Sequence, residues 1–304
     1  MSESTIQVGR RKLKVSNLQK VLYPRAGFTK GQVIGYYLDI ADAILPHLKG
    51  RPLTLKRYPD GVTKHFFYEK NCPSYRPEWV DTLNRPSDRR SGGVDYCVVD
   101  NRAALVWVAN LAALELHVLL SKGSRKDRPT HMVFDLDPGE GRTLLHCIDV
   151  AFTLRGMLEH FGLQSVAKTS GGKGLHLYVP LNTAVTFEQT KAFAKALASL
   201  AAKENPKTIT TVMRKDLRKG KVFVDWSQND EHKTTVCVYS LRARETPTVS
   251  MPVTWDELEA ARKSKKGSQL VFAPDEALQR VAQHGDLFTP VLKLKQKLPE
   301  LSED

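Results

Sequence analysis

The sequence predicts an α/β (α+β) protein with a catalytic core over residues 129–290. An N-terminal module, residues 1–128, packs beside the core, and a C-terminal tail covers 291–304. Three observations predict this: four segments with helical spacing, three short segments of alternating polarity in the second half, and a soft boundary near 128. Thr29 and Gln32 form a T-x-x-Q capping box ahead of Val33, Ile34, Tyr37, Ile40, Ala41, Ile44 and Leu48, so a helix is expected over 29–48. Pro46 can end it a turn early, and Gly50 closes it. Further helices are expected over 102–118, over 143–161 before Gly162, and over 187–204, opened by Thr186 and Gln189 and stopped before Pro206. Arg85–Gly93 and Lys122–Pro129 carry the turn and charge signals of connections.

The three alternating segments point to chemistry. In His131–Asp137, Met132, Phe134 and Leu136 make one apolar face, and Asp135 and Asp137 share the other. In Lys221–Ser227, Val222, Val224 and Trp226 oppose Asp225, and in Lys173–Val179, Leu175, Leu177 and Val179 oppose His176 and Tyr178. If these strands adjoin in one sheet, the face away from the core is a polar floor able to hold metal. Like charges at i and i+2 repel, and a cation between them offsets that cost. Three carboxylates can hold two hard divalent ions about 4 Å apart, the arrangement used in phosphoryl transfer.

With 304 residues, the chain can bury a core in one large or two modest domains. Its 46 Lys and Arg against 33 Asp and Glu give +13, a field that attracts polyanions such as nucleic acid. No apolar signal region opens the chain, and Ala103–Leu120 is interrupted by Asn110, Glu115 and His117, so no membrane partner and a cytoplasmic setting are expected. Cys72, Cys97, Cys147 and Cys237 form no C-x-x-C pair, which argues against a zinc ribbon and leads to the expectation of four reduced thiols. There are no repeats.

Other residues carry open alternatives. Ser170-Gly171-Gly172-Lys173-Gly174 reads as a phosphate-binding nest or as a plain glycine turn; the P-loop spacing fails and a strand follows. Lys56 and Arg57 precede a Pro59-Asp60-Gly61 turn and the triplet Phe66, Phe67 and Tyr68, a pairing of cations and stackable rings that suits nucleic-acid ends or simply fills a core. His117 reads as a hydrogen-bonded core histidine or a phosphate contact, and Arg242 and Arg244 as a triphosphate clamp or a solvated pair.

Taken together, the motifs resemble the polymerase domain of the bacterial DNA-repair ligase D family, in the archaeo-eukaryotic primase superfamily. The resemblance runs from Leu13 to Leu287. Its markers are NLQKVLYP from Asn17, FTK from Phe28, ALELH from Ala113, VFDLDPGEG from Val133, TSGGKGLHLYVP from Thr169, KVFVDWSQN from Lys221 and YSLRAR from Tyr239. It implies a primase-type catalytic core and template-dependent addition of NTPs, favoured over dNTPs, with two Mn²⁺ or Mg²⁺ ions. The implied partners are DNA at gaps, nicks or double-strand breaks bearing a 5′-phosphate, together with a ligase and an end-binding repair protein in end joining, a nucleoid-associated role. It makes Asp135, Asp137 and Asp225 the catalytic metal ligands, with His117, Ser170, Lys173, Arg242 and Arg244 around the triphosphate and Lys56, Arg57 and Gln228 near the incoming nucleotide. Lys20 and Lys30 match the pair that receives the 5′-phosphate, and Lys30 opens a helix whose N-terminus already favours an anion. The resemblance also implies that one of Phe66, Phe67 and Tyr68 stacks on DNA. No K-x-D-G stretch is present, so nick sealing is not expected of this chain. A metal-dependent nuclease and a non-catalytic DNA-end binder are the rival classes.

Overall fold

The computed structural model describes residues 3–87 and 91–299. The chain divides into two compact units, each built from several stretches. The first comprises residues up to Leu119 with Thr234–Ser250 and Ala273–Gly285; the second comprises Leu120–Lys233, Met251–Phe272 and the residues from Asp286 on. The first division thus falls at Leu119, ahead of the boundary expected near 128, and the chain later returns twice to the first unit.

In the first unit, the Thr29 capping box forms as expected, but two helices follow, Lys30–Asp39 and Ala41–Leu48, joined at Ile40. The helix expected over 102–118 is corrected more strongly. It spans only Arg102–Asn110; Ala112 then takes a left-handed φ of 57°, and Ala113–Leu119 is a strand. The strand wins because it lies inside a sheet, between Leu53–Arg57 and Thr234–Val236, where both neighbours satisfy its backbone. Phe67–Glu69 adds to Leu53–Arg57, and Val94–Cys97 and Thr82–Arg85 continue the sheet. Residues 88–90 of the expected Arg85–Gly93 loop lie outside the described residues. Cys72 and Cys97 form a disulfide, which corrects the expectation of four reduced thiols; Cys147 and Cys237 are buried and not disulfide-bonded. This bond joins the segment after Phe67–Glu69 to the end of Val94–Cys97, a long-range pairing with no local sequence signature.

The second unit holds a six-stranded sheet in the order Ile209–Thr210, Val222–Asp225, His131–Pro138, Leu175–Pro180, Val166–Thr169 and Pro252–Val253. The three strands expected to adjoin are therefore consecutive neighbours. All pairings are antiparallel except that between the first two. Met132, Phe134, Leu136, Leu175, Leu177, Val222 and Val224 pack against helices Leu144–His160 and Phe187–Glu204, the latter with the expected bounds and Thr186–Gln189 capping box. Apolar burial, at roughly 25 cal/mol per Å², commits that face to the core and leaves the opposite face to the polar residues. The Lys122–Pro129 connection is itself a short hairpin, Ser121–Lys122 with Arg125–Pro129. The tail expected from residue 291 is anchored: the Gln296 amide donates to the Pro180 carbonyl at 2.6 Å and its backbone N–H to Leu181 at 2.9 Å. Among the described residues, no helix is long and apolar enough to cross a membrane.

Candidate active site

The carboxylates come together through strand register. Asp135 is paired directly with Asp225 across two antiparallel strands, and Asp137 with Phe223. Directly opposed residues project from the same face, their Cβ atoms about 5 Å apart. Asp137, two residues from Asp135, shares that face. The strand expected over Lys221–Ser227 ends at Asp225, because Trp226–Gln228 turns into a 3₁₀ helix capped by the aspartate itself. Asp225 Oδ1 accepts from the Ser227 N–H at 2.9 Å and from the Ser227 hydroxyl, and Oδ2 accepts from the Gln228 amide at 3.1 Å. Asp135 Oδ1 lies 3.3 Å from His176 Nε2, the residue opposite it on the next strand. His176 is a site component that the sequence placed on the polar face without a role.

The glycine-rich loop lies against this floor. Gly174 approaches the aspartate strand so closely that a Cβ there would meet the Leu136 carbonyl at 2.4 Å and Asp137 Oδ1 at 3.3 Å, so only glycine fits. The loop closes on its own serine: the Gly172 and Gly174 N–H groups both donate to Ser170 Oγ at 3.2 Å, and the Ser170 N–H to the Gly174 carbonyl. These two amides therefore face Ser170 rather than an open nest, while Lys173 at the tip is exposed.

In the first unit, a buried carboxylate gathers the cations. Glu115, 2% exposed, alternates with Leu114 and Leu116 on its strand and lies on the same face as His117, whose Nε2 is 2.9 Å from it. Lys56, its cross-strand neighbour, is 3.6 Å away, Arg242 Nε is 3.3 Å away, and the Ala243 N–H donates to it at 3.1 Å. Burial pushes the Glu115 carboxyl up, but the His117 hydrogen bond and the Arg242, His117 and Lys56 charges outweigh it and hold the group well below the usual carboxylate range. Burial lowers Lys56, with Arg242 and Arg244 adding to the effect and Glu115 opposing it. His117 is likewise lowered, by burial first. His117 is half-buried and hydrogen-bonded to Glu115, the carboxylate that Lys56 and Arg242 also face. The sequence missed Glu115 as the organiser, although the alternation in ALELH carries it.

Not every expected neighbour joins this cluster. A register shift separates Lys56 from Arg57. Lys56 Nζ lies over the Phe66 ring at 4.5 Å and near Tyr58 and Tyr68, whereas Arg57 pairs with Glu69 at 2.9 Å and lies over Phe67 at 5.2 Å. The aromatic triplet is thereby divided, Phe66 and Tyr68 with Lys56 and Phe67 with Arg57, and all three rings are exposed. Arg244 lies beyond the strand Leu241–Ala243 and is exposed. Lys20 and Lys30 are joined by a backbone hydrogen bond of 2.8 Å, yet their side chains diverge: Lys20 pairs with Asp60 at 2.6 Å, and Lys30, 6% exposed, donates to the Ser16 carbonyl at 2.7 Å. Burial, with Lys20 and Arg57 nearby, lowers the Lys30 ammonium to about 8.

Among the described residues, no group of three or more His, Cys, Asp or Glu stands close enough to hold a metal ion as the side chains are turned. The donor set nonetheless suits one. Asp135, Asp137 and Asp225 supply hard oxygen ligands from one sheet face, and the hydrogen bonds that Asp225 accepts from Ser227 and Gln228 are ones a rotamer change releases.

Three carboxylates on one sheet face of the second unit are the kind of donor set used in metal-assisted phosphoryl transfer, and the first unit carries its own cationic, aromatic cluster. Residues 29–288 match the family model described as LigD, primase-polymerase domain, and the chain belongs to that family. Its members are nucleotidyltransferases of the polymerase and primase-polymerase type, dependent in general on divalent metals. The chain is 42% identical over 283 residues to the multifunctional non-homologous end joining protein LigD of Mycolicibacterium smegmatis, covering 92% of this chain and 36% of that protein. It is 32% identical over 275 residues to the bifunctional LigD of Bacillus subtilis, covering 90% and 43%. The chain thus spans well under half the length of these curated relatives. Its fold matches the polymerase domain from Mycobacterium tuberculosis ligase D in complex with DNA, with a TM-score of 0.84 and 40% identity over 92% of this chain and 97% of that one.

Proposed function

We propose that this chain is a template-dependent polymerase that adds nucleotides, NTPs before dNTPs, at gaps, nicks or broken DNA ends. It would serve non-homologous end joining in the cytoplasm at the nucleoid, beside a ligase and an end-binding protein. The observation that carries the reading is the direct pairing of Asp135 with Asp225, with Asp137 on the same face. Mn²⁺ or Mg²⁺ held by these three carboxylates would neutralise charge on the attacking and leaving oxygens. The Gly174 contact keeps the Ser170–Lys173 loop against Asp137, which supports a triphosphate role for Ser170 and the exposed Lys173. Glu115 holds Lys56, His117 and Arg242 as a preformed cluster, which supports assigning them to the nucleotide; Arg57, Arg244 and Gln228 are assigned to it as well. Lys20 and Lys30 are assigned to the 5′-phosphate of the downstream end, and Phe66 or Tyr68, exposed beside Lys56, to base stacking.

The test uses a gapped duplex with a labelled primer, each NTP and dNTP in turn, and Mn²⁺ or Mg²⁺. Polymerase chemistry lengthens the primer by the templated nucleotide, with GTP used ahead of dGTP opposite dC. Shortening of the primer instead identifies a nuclease and overturns the proposal.

A further inference from the structure

The acidic face of the sheet in the second unit carries one more charged residue. Lys168, in Val166–Thr169, is fully buried. It is paired with His176, His176 with Asp135, and Asp135 with Asp225. Each pair is directly opposed across antiparallel strands, so the four side chains form one row on one face of four adjacent strands. The Lys168 ammonium lies 5.6 Å from the centre of the Tyr178 ring, and that ring stacks with His176 at 6.4 Å and 11°. A lysine taken wholly out of water keeps its charge only where negative charge is in reach. Two carboxylates lie in the same row, the nearer two strands away, with Asp137 two residues along from Asp135.

We propose that Lys168 is a resident counter-cation of the carboxylate floor. It is a positioning residue that makes three neighbouring carboxylates tolerable in the metal-free protein and opposes the divalent ions they take up, so that it sets their affinity. This rests on the reading of Asp135, Asp137 and Asp225 as metal ligands. Strands lie about 4.8 Å apart, so two spacings put the Lys168 backbone about 10 Å from that of Asp135. At that range, in an effective dielectric near 20, a unit charge weakens binding of a divalent ion by roughly a hundredfold, and by about tenfold with stronger screening. Surface cations are screened far more. A neutral side chain at 168 therefore tightens metal binding while weakening the metal-free fold.

The test is direct Mn²⁺ titration by calorimetry, with the Mn²⁺-induced rise in melting temperature as an independent readout. The proteins are the parent, Lys168→Met, Lys168→Gln, Lys168→Arg and Asp137→Asn. Both neutral variants should bind Mn²⁺ about tenfold or more tightly than the parent, with a larger Mn²⁺-induced rise, and Lys168→Arg should keep the parent's affinity. Unchanged or weaker binding in either folded neutral variant overturns the proposal, as does tighter binding in Lys168→Arg. A parent that binds no Mn²⁺, or an Asp137→Asn protein that binds it as the parent does, overturns the metal reading itself and is thereby distinguished from failure of the lysine's role alone.

Discussion

Asp135 and Asp225 face each other directly across two antiparallel strands, although ninety residues of chain separate them. Asp135 Oδ1 lies 3.3 Å from His176 Nε2, while Asp225 accepts hydrogen bonds from Ser227 and Gln228. Adding divalent ions should draw both inward. Mn²⁺ should raise the melting temperature of the parent and leave that of a doubly substituted Asp135→Asn, Asp225→Asn protein unchanged. An equal rise in both would place the ion elsewhere.

Glu115 lies at the centre of the Lys56, His117 and Arg242 contacts, and it is 2% exposed. Replacing it with glutamine keeps the shape but removes the buried charge that Lys56 and Arg242 face. Breaking a buried ion pair from one side costs about 3 to 5 kcal/mol. Urea denaturation should show a loss of that order for Glu115→Gln; a loss under about 1 kcal/mol would mean the cations are held by other contacts.

Gly174→Ala should disturb the floor and its loop together, because the added carbon meets a backbone carbonyl that cannot rotate away. Overpacking of this kind costs about 1 to 3 kcal/mol. The control is Gly156→Ala, inside the helix Leu144–His160 with nothing within 4 Å of the new carbon. That change should stabilise the protein by about 0.5 to 1 kcal/mol. Equal denaturation midpoints for the two variants would contradict the close approach.

Lys30 provides a pH test. Its ammonium is lowered to about 8, so it is charged at pH 7 and largely neutral at pH 9. Preference for a 5′-phosphorylated gap should therefore be full at pH 7 and decline as pH rises through about 8 to 9, the phosphate itself moving the midpoint upward. Lys30→Arg, which stays protonated, should retain its preference at pH 9. A parent preference that is flat from pH 7 to 9 would remove Lys30 from the phosphate contact.

Much of the second unit was legible because local pattern and tertiary structure agree there. The Thr186–Gln189 capping box and helical spacing marked Phe187–Glu204, and two-residue alternation put the aspartates on one face. Ala113–Leu119 reads as helix because the mostly apolar stretch from Ala103, interrupted at Asn110, Glu115 and His117, fits both a helix and a buried strand, and the deciding break is a left-handed Ala112, a conformation alanine does not advertise. Glu115 escaped notice as an organiser because its partners come from remote strands, and Lys168 because only cross-strand register aligns it with Asp135. The Cys72–Cys97 bond is hidden for the same reason.

The central claim, that the Asp135, Asp137 and Asp225 face carries out nucleotide addition, is tested most directly by the single-turnover rate of primer extension on a 5′-phosphorylated gapped duplex. Parent, Asp137→Asn and Asp225→Asn would be compared at saturating Mn²⁺ and NTP, with each variant shown to melt like the parent. Each substitution should slow addition by about a hundredfold or more, as expected when charge stabilisation of the transition state is lost. Extension by either folded variant within a few-fold of the parent rate would contradict the account.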